Sequence, residues 1–222
     1  KMLSYYYSNQ TFNKLKKTLL IQTETSLKGA KIMNANLAYQ EEIYDEMING
    51  QIVLMSPSPM ANHVYAAGNI YRIFADYLKG KICTPFPDRF DLYLSEKDRF
   101  EPDMMIVCDP NKIKSRGVYG APDLVVEVLS RSTSKRDRGY KKNAYEKAGV
   151  KEYWLVDTNN QSIEQYILTD GYFVLQEIYS LKGDYDIEDM TEEEKAAIVK
   201  EFKCSLYDDL IIKLEDVFER VK

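Results

Sequence analysis

The sequence contains few of the residues from which thiolate metal sites and membrane spans are built. Its 222 residues include three cysteines, one histidine and one tryptophan, and the cysteines form no CxxC pair. Because Cys83, Cys108 and Cys204 are odd in number and widely spaced, they predict structural thiols in a reducing, cytoplasmic protein rather than a zinc site. No apolar run reaches the ~20 residues of a membrane helix, and the N-terminus shows no signal-peptide pattern, so no membrane partner is expected.

The charge of the chain is unevenly distributed. The formal net charge of −5 alone argues against a nucleic-acid partner. Residues 130–147, however, carry seven basic residues against two acidic ones. Such a segment suits a polyanionic substrate, although an ordinary solvated surface is an equally good interpretation. The candidates for nucleic-acid binding are Arg131, Lys135, Arg136, Arg138 and Lys142.

Hydrophobic patterning predicts a mixed α/β (α+β) domain. Apolar residues from Asn62 to Leu78 recur at helical spacing on one face. A basic helix is predicted from Asp137 to Ala148, where Gly149 stops it. Short apolar segments between and after these helices predict the strands of a sheet. We expect an N-terminal extension over residues 1–38 and one domain over residues 39–222.

Two dipeptides that contain glycine mark turns. Asn49-Gly50 is predicted to end a short helix that contains Glu46, and a strand over residues 51–56 follows it. Asp170-Gly171 lies between two strand-like segments and predicts a β-hairpin. The single histidine, His63, lies in the first turn of the helix from Asn62. We interpret it as a surface or capping residue.

The segment "DLVVEVLS", residues 123–130, reads as a buried strand that carries two carboxylates. Alternation along a strand places Asp123, Glu127 and Leu129 on one face. An ionised carboxylate among apolar side chains is unfavourable unless it is paired or binds a metal. Glu127 therefore needs a partner, and the two alternatives are a metal and a salt bridge that is merely structural.

A second carboxylate, Asp103, stands at the start of an apolar strand that we expect to lie beside the strand of Glu127. Hard divalent cations such as Mg²⁺ take oxygen ligands, usually one or two carboxylates with water and substrate phosphate. A nearby lysine adds a positive charge for the phosphate. Lys141 lies four residues after Asp137 and four before Tyr145, so these three share a helix face. The alternative for Lys141 is an ordinary solvated lysine.

These motifs together resemble a known family. The pattern is "PD…PDLVVEVLS…S…RDRG-x-K…Y…AGV-x-EYWLVD", preceded by "EMINGQIVLMSP" and closed by "LYDDLIIKLEDVF". It is similar to the Uma2-like (DUF820) restriction endonuclease family of the PD-(D/E)XK nuclease superfamily. The resemblance runs from about residue 39 to residue 218. It implies a restriction-endonuclease-like mixed β-sheet flanked by helices.

The resemblance also implies roles for individual residues. Asp103 matches the PD aspartate and Glu127 the (D/E) position, and both would be metal ligands. Lys141 matches a catalytic lysine that has moved from the strand to the following helix. Glu46 matches a glutamate that completes the catalytic site, although an ordinary helix acid is an alternative. Asp123 matches a second PD aspartate, which is either a metal ligand or a structural residue.

The function that the resemblance implies is hydrolysis of DNA phosphodiester bonds with Mg²⁺ (or Mn²⁺). A homodimer is expected because cutting both strands of a duplex usually requires two active sites. Leu129 stands where the wider superfamily has the lysine of ExK, so activity would depend on Lys141. This departure favours the alternative of an inactive nucleic-acid-binding or interaction module on a nuclease fold. A hydrolase that acts on small phosphates or RNA is a third reading.

Overall fold

The computed structural model describes residues 45–55, 59–181, 191 and 199–222 of the chain. Its strands are, in chain order, β1 (Asp45–Ile48), β2 (Gln51–Leu54), β3 (Thr84–Pro87), β4 (Leu92–Tyr93), β5 (Arg99–Phe100), β6 (Met104–Val107), β7 (Ile113–Lys114), β8 (Gly117–Tyr119), β9 (Leu124–Val128), β10 (Glu152–Asp157), β11 (Ser162–Thr169), β12 (Tyr172–Ser180), β13 (Glu201–Lys203) and β14 (Ile211–Lys213). Its helices are α1 (Ala61–Leu78), α2 (Ser134–Arg136, continued by the π-helical turn Asp137–Lys141 and by Lys142–Ala148) and α3 (Leu214–Val217). The predicted boundary at residue 38 lies outside the described residues.

Within these ranges the strands form two six-stranded sheets and a two-stranded ribbon. The first sheet has the order β12-β11-β10-β9-β6-β3 and is antiparallel except for β9 and β10, which are parallel. Helix α2 connects these two strands, as a crossover between parallel neighbours requires. The second sheet has the order β2-β1-β5-β4-β8-β7. The mixed α+β fold is therefore confirmed, although the strands divide between two sheets instead of forming one.

Hydrophobic cores lie on both faces of the first sheet. On one face, Phe74 of α1 packs against Trp154 of β10 with ring centroids 5.7 Å apart. On the other face, Tyr145 of α2 packs against Phe100 of the second sheet. Side chains alternate along β9, so Glu127 faces the second core and not the first. The fold thus places α2 over the face of the sheet that carries Glu127.

The segment around Asn49-Gly50 forms a β-hairpin, so the prediction of a helix before this dipeptide is wrong for residues 45–48. Strands β1 and β2 are paired antiparallel with Glu46 opposite Val53. Asn49 and Gly50 have φ angles of 51° and 77°, and two successive positive φ angles are typical of a tight hairpin turn. The predicted hairpin at Asp170-Gly171 is confirmed by the pairing of β11 with β12.

Two of the three cysteines are bonded to each other, so the prediction of free thiols at Cys83 and Cys108 is wrong. Their sulfurs form a disulfide between the start of β3 and the end of β6, beside the paired residues Thr84 and Val107. Spacing along the chain carries no information about pairing across antiparallel strands. The cysteines therefore give no support to a reducing compartment. Cys204 is free and buried. None of the helices in the described segments has the length and apolar character of a membrane span.

A buried carboxylate that no motif singles out, Glu152 of β10, is stabilised by hydrogen-bond donors. Its Oε1 accepts from Trp154 Nε1 and from Gln165 Nε2, each at 2.6 Å. Its Oε2 accepts from the backbone N–H of Ser205 at 2.8 Å. These bonds connect the segment after β13 to the first sheet. Glu152 is therefore a structural acid with a hydrogen-bond donor at each of its oxygens.

Candidate active site

Asp103 and Glu127 lie at the ends of adjacent strands, as the sequence predicts. β6 and β9 are antiparallel, so the start of β6 adjoins the end of β9. Asp103 Oδ2 accepts a hydrogen bond of 2.6 Å from the backbone N–H of Val128. This bond fixes the Asp103 carboxylate beside the strand end that carries Glu127.

Glu127 accepts hydrogen bonds from two residues of α2. Lys141 Nζ donates at 2.9 Å and Tyr145 OH at 2.6 Å, both to Oε1. Because both side chains reach one carboxylate, the predicted common helix face of Lys141 and Tyr145 is confirmed. Tyr145 is a core residue, as predicted, and its hydroxyl also holds the orientation of Glu127. Leu129, which takes the place of the ExK lysine, packs against the same core.

Lys141 lies at the centre of a buried cluster. Its Nζ is 2.7 Å from Glu46 Oε1, 2.9 Å from Glu127 Oε1 and 3.8 Å from Asp137 Oδ1. Only 3% of Lys141 is exposed, so it is not a solvated lysine. Burial by itself lowers the pKa of Lys141, but the charges of Glu127 and Glu46 outweigh it and raise that pKa. Lys141 therefore stays protonated, and it can stabilise negative charge but cannot take a proton from water.

The cluster contains more carboxylates than cations. Burial raises the pKa of Glu127 well above its ordinary value; Lys141 opposes this rise, and Asp137, Asp103 and Glu46 add to it. Burial also raises the pKa of Asp137. Glu46 Oε2 and Asp137 Oδ1 have no hydrogen-bond partner among the described residues. A carboxylate of the cluster therefore takes up a proton at a higher pH than a separate carboxylate in water does. The charge of Glu46 helps to keep Lys141 protonated.

His63 belongs to this site although its position in the sequence indicates a surface or capping residue. Its Nε2 lies 3.2 Å from Asp103 Oδ2, and 18% of its side chain is exposed. Burial lowers the pKa of His63, but the hydrogen bond and charge of Asp103 raise it above the ordinary value. The surface interpretation is wrong because α1 directs this residue toward the start of β6. The available signal was a lone histidine in the first turn of a helix that follows a proline-rich segment.

Asp123 lies at the opposite end of β9 from this cluster. Its Oδ2 accepts a hydrogen bond of 2.7 Å from the backbone N–H of Cys108, and its Oδ1 lies 2.8 Å from Lys151 Nζ. Because β6 and β9 are antiparallel, the start of β9 adjoins the end of β6, away from Asp103. The structure therefore does not bring Asp123 together with Asp103 and Glu127. Its contacts are those of a structural residue.

The basic residues predicted to bind nucleic acid differ in how accessible they are. Arg138 forms an ion pair with Glu164, and Lys142 Nζ lies 3.7 Å from the ring of Tyr166, so both contact β11. Arg136 is partly buried, and its Nε has no hydrogen-bond partner within the described ranges. Arg131 and Lys135 are exposed. Arg138 is exposed as well, but its guanidinium is engaged by Glu164.

The stability of the protein depends on pH partly through Glu101, and we expect the substitution Glu101→Gln to remove this contribution. Burial and the charges of Asp91 and Asp88 raise the pKa of Glu101 from 4.5 to about 7. The native state thus retains a proton that the unfolded chain has lost, so this group makes stability fall as the pH rises from 4.5 toward 7. Between pH 5 and pH 8, in a buffer that contains a metal chelator, we expect the melting temperature of Glu101→Gln to fall less than the melting temperature of the wild type. Equal falls would contradict this, and Glu96→Gln, at an exposed site, is the matched control.

The chain shares its fold with a solved structure from Anabaena variabilis, described as "a putative nuclease belonging to DUF820". The TM-score is 0.55 and the sequences are 18% identical, over 80% of this chain and 90% of that one. This chain therefore has the mixed α+β fold of that structure.

The family is shown by sequence. The profile of the Uma2 family, described as "Putative restriction endonuclease", matches residues 36–195, and the chain belongs to this family. The uncharacterized protein slr1290 of Synechocystis sp. is 31% identical over 127 residues, which are 56% of this chain. The match covers 66% of that relative's own length, just under two thirds. The resemblance that the motifs indicate is thus confirmed.

Proposed function

We propose that this chain hydrolyses phosphodiester bonds of DNA at the cluster of Asp103, Glu127, Lys141 and Glu46. The observation that carries the proposal is the buried Lys141, held between Glu127 and Glu46, with Asp103 at the strand end that adjoins the end of the Glu127 strand. Lysine is rarely buried unless it is paired, and titratable groups whose pKa values are strongly shifted by burial and by neighbouring charges cluster at functional sites. Membership of the Uma2 family supports the proposal.

The side chains can divide the work of hydrolysis between them. Lys141, which stays protonated, donates hydrogen bonds to the attacking oxygen or to the phosphate and offsets the negative charge of the transition state. Tyr145 and Lys141 together fix the carboxylate of Glu127, and the backbone of Val128 fixes that of Asp103. Glu46 holds the ammonium of Lys141 in place. As the oxygen of a water bonds to phosphorus, the bond from phosphorus to one ester oxygen would break. The water would lose its proton to the medium or to a carboxylate of the cluster, and the departing oxygen would take a proton from the medium.

The donor set fits one hard divalent cation, Mg²⁺ or Mn²⁺. Asp103 and Glu127 are the residues that would hold it, and water and substrate phosphate would supply the remaining ligands. Within the described ranges no group of three or more His, Cys, Asp or Glu residues is arranged to hold a metal, so the protein alone offers a partial site. The excess of carboxylates over cations favours a further positive charge. When bound, such an ion supplies an activated water and stabilises charge on the phosphate.

The same geometry favours a second candidate, a DNA-binding module that does not cut. Lys141 already has three carboxylates within 4.0 Å, and Leu129 replaces the strand lysine of the superfamily. In this reading, the ion pairs of Lys141 stabilise the contact between the two sheets and serve no chemistry. Metal binding and turnover would both be absent, whereas DNA binding would remain.

The first experiment is isothermal titration of Mg²⁺ and Mn²⁺ into the wild type and into the double variant Asp103→Ala/Glu127→Ala. We expect binding to the wild type that the double variant loses, together with DNA cleavage by the wild type alone. The control is Asp208→Ala/Glu215→Ala, which removes two exposed carboxylates from the C-terminal segment. If the wild type does not bind metal, either alone or in the presence of DNA, and does not cleave DNA, the non-cutting module is favoured.

Contacts between the basic segment and DNA predict a steep dependence of affinity on salt. Each phosphate contact contributes about −0.9 to the slope of log K against log salt concentration. If Arg131 and Lys135 each contact a phosphate, the double variant Arg131→Ala/Lys135→Ala should lower the magnitude of the slope by about 2. Fluorescence anisotropy at several salt concentrations measures it, and Lys203→Ala/Lys213→Ala is the control. A slope equal to that of the wild type would exclude these two residues from the interface.

A further inference from the structure

A cavity of about 190 Å³ lies next to the candidate active site. One wall is formed by α1, through Val64, Ala67 and Tyr71, and the rings of Pro59 and Pro87 also line it. Gly68 of α1 borders the cavity without filling it, since a Cβ at this position would meet nothing within 4 Å. The walls are therefore apolar and ring-rich. A cavity of about 150 Å³ accommodates benzene, so this one has room for a heterocyclic ring.

The polar part of the cavity is formed by three ionisable residues, two of which belong to the candidate active site. His63, Asp103 and Asp88 line it, and His63 and Asp103 are joined by their 3.2 Å contact. Two carboxylates and one imidazole disfavour a phosphate inside the cavity. The same groups offer hydrogen-bond donors and acceptors to the edge of an uncharged polar ring. The cavity thus suits the uncharged part of a nucleotide whose phosphate is held outside, at Asp103 and Glu127.

We propose that this cavity receives one unstacked base of the DNA strand whose phosphate lies at the Asp103–Glu127 cluster. The inference rests on the proposed function, because it takes the phosphate to lie at that cluster. Tyr71 and the two prolines present the flat apolar surface on which a base stacks. His63 and Asp88 face its polar edge.

The class of substrate follows from the shape of the cavity. A base inside a duplex is stacked between its neighbours, and it can enter a protein cavity only after it leaves the stack. Leaving the stack is least unfavourable for a base that is already unpaired. The preferred substrates are therefore single strands, loops and duplexes with an unpaired nucleotide, rather than fully paired DNA.

Gly68→Leu tests this proposal because it adds a side chain at the border of the cavity and leaves every residue of the cluster unchanged. Its backbone is helical, and the space beside it is open, so the variant is expected to fold. Ala61→Leu adds the same side chain at an exposed position of α1 that does not line the cavity. Tyr71→Ala, which removes the aromatic wall, is a second and independent variant. Thermal melts confirm the folding of each.

The measurement is the fluorescence anisotropy of two labelled duplexes in a buffer that contains Ca²⁺. One duplex is fully paired, and the other has a single unpaired thymine. We expect the wild type and Ala61→Leu to bind the second duplex at least about tenfold more tightly, the size of one base–aromatic stacking contact. Gly68→Leu and Tyr71→Ala should lose this preference. The proposal is overturned if the wild type binds neither duplex, if it binds both equally, or if both cavity variants keep the preference.

Cleavage assays with Mg²⁺ on the same two duplexes separate this proposal from the proposed function. If Gly68→Leu loses the preference for the duplex with the unpaired thymine but the wild type cleaves neither duplex, the cavity proposal is supported and the proposed hydrolysis is contradicted. Cleavage at the same rate by the wild type and Gly68→Leu, with equal affinities, would support hydrolysis and overturn the cavity.

Discussion

Replacement of Lys141 by methionine is expected to destabilise the protein by about 3–5 kcal/mol at neutral pH, the range measured when one partner of a buried ion pair is removed. Methionine keeps the length of the side chain but leaves Glu46, Glu127 and Asp137 as buried carboxylates without their cation. The loss should shrink as the pH falls, because protonation removes the uncompensated charge. Chemical denaturation at pH 5 and pH 8 measures both effects.

The role of Lys141 in catalysis is tested with the same variant at conditions where it is folded. We expect Lys141→Met to bind Mg²⁺ at least as well as the wild type, since a competing cation is gone, and to lose turnover. Its neighbour Lys142, which lies over the ring of Tyr166 outside the cluster, provides the matched control Lys142→Met. Full activity of Lys141→Met would remove this lysine from the chemistry. If Lys141→Met instead lost less than about 1 kcal/mol of stability, and by the same amount at both pH values, the carboxylates around Lys141 would have other partners.

Replacement of Glu127 by glutamine is expected to abolish turnover while the fold stays intact. Glutamine can still accept a hydrogen bond from Tyr145, and Lys141 keeps Glu46 and Asp137. Metal affinity should fall by more than the roughly 10–100-fold that loss of an outer-shell partner costs. Because the variant carries one buried negative charge less, its stability above neutral pH should equal or exceed that of the wild type. Titration calorimetry, cleavage assays and denaturation measure these three quantities.

The matched control for Glu127→Gln is Asp123→Asn, on the same strand. Asp123 was a candidate metal ligand from its sequence motif, but its carboxylate contacts Cys108 and Lys151 at the other end of β9. We expect this variant to keep its metal affinity. Loss of metal binding in Asp123→Asn together with unchanged binding in Glu127→Gln would reverse the assignment of the two carboxylates.

The sequence predicts that Asp103 stands at the start of a strand, that Glu127 lies on one strand face and that Lys141 lies on one helix face, because each of these positions depends on local rules. Strand alternation sets the face of Glu127, and helical spacing sets the common face of Lys141 and Tyr145. The proline and glycine signals mark where the elements end. These rules act over a few residues, so a single sequence is sufficient to apply them.

Other features of the site depend on contacts between distant parts of the chain, and local rules do not reach them. Glu46 approaches Lys141 from the other sheet, and the acidic segment before Asn49 reads as a helix although pairing with β2 makes it a strand. His63 meets Asp103 only because α1 packs on the first sheet. The disulfide of Cys83 depends on the register of β3 with β6. Each of these is a tertiary effect that overrides or supplements local propensity.

The relative positions of the site residues on α2 depend on the π-helical turn Asp137–Lys141. A π turn accommodates one residue more than an α-helical turn does, and Tyr153 OH donates a 3.0 Å hydrogen bond to the backbone carbonyl of Asp137 within it. Deletion of one residue here, such as Gly139, would leave the charge unchanged but would remove the extra residue of the π turn and shift the backbone carbonyl of Asp137 relative to Tyr153 OH. Asp137 would then stand three residues before Lys141 instead of four, so the distance from its carboxylate to Lys141 Nζ would change as well. In relatives of this chain, the length of this short turn should therefore vary far less than the lengths of the surface loops.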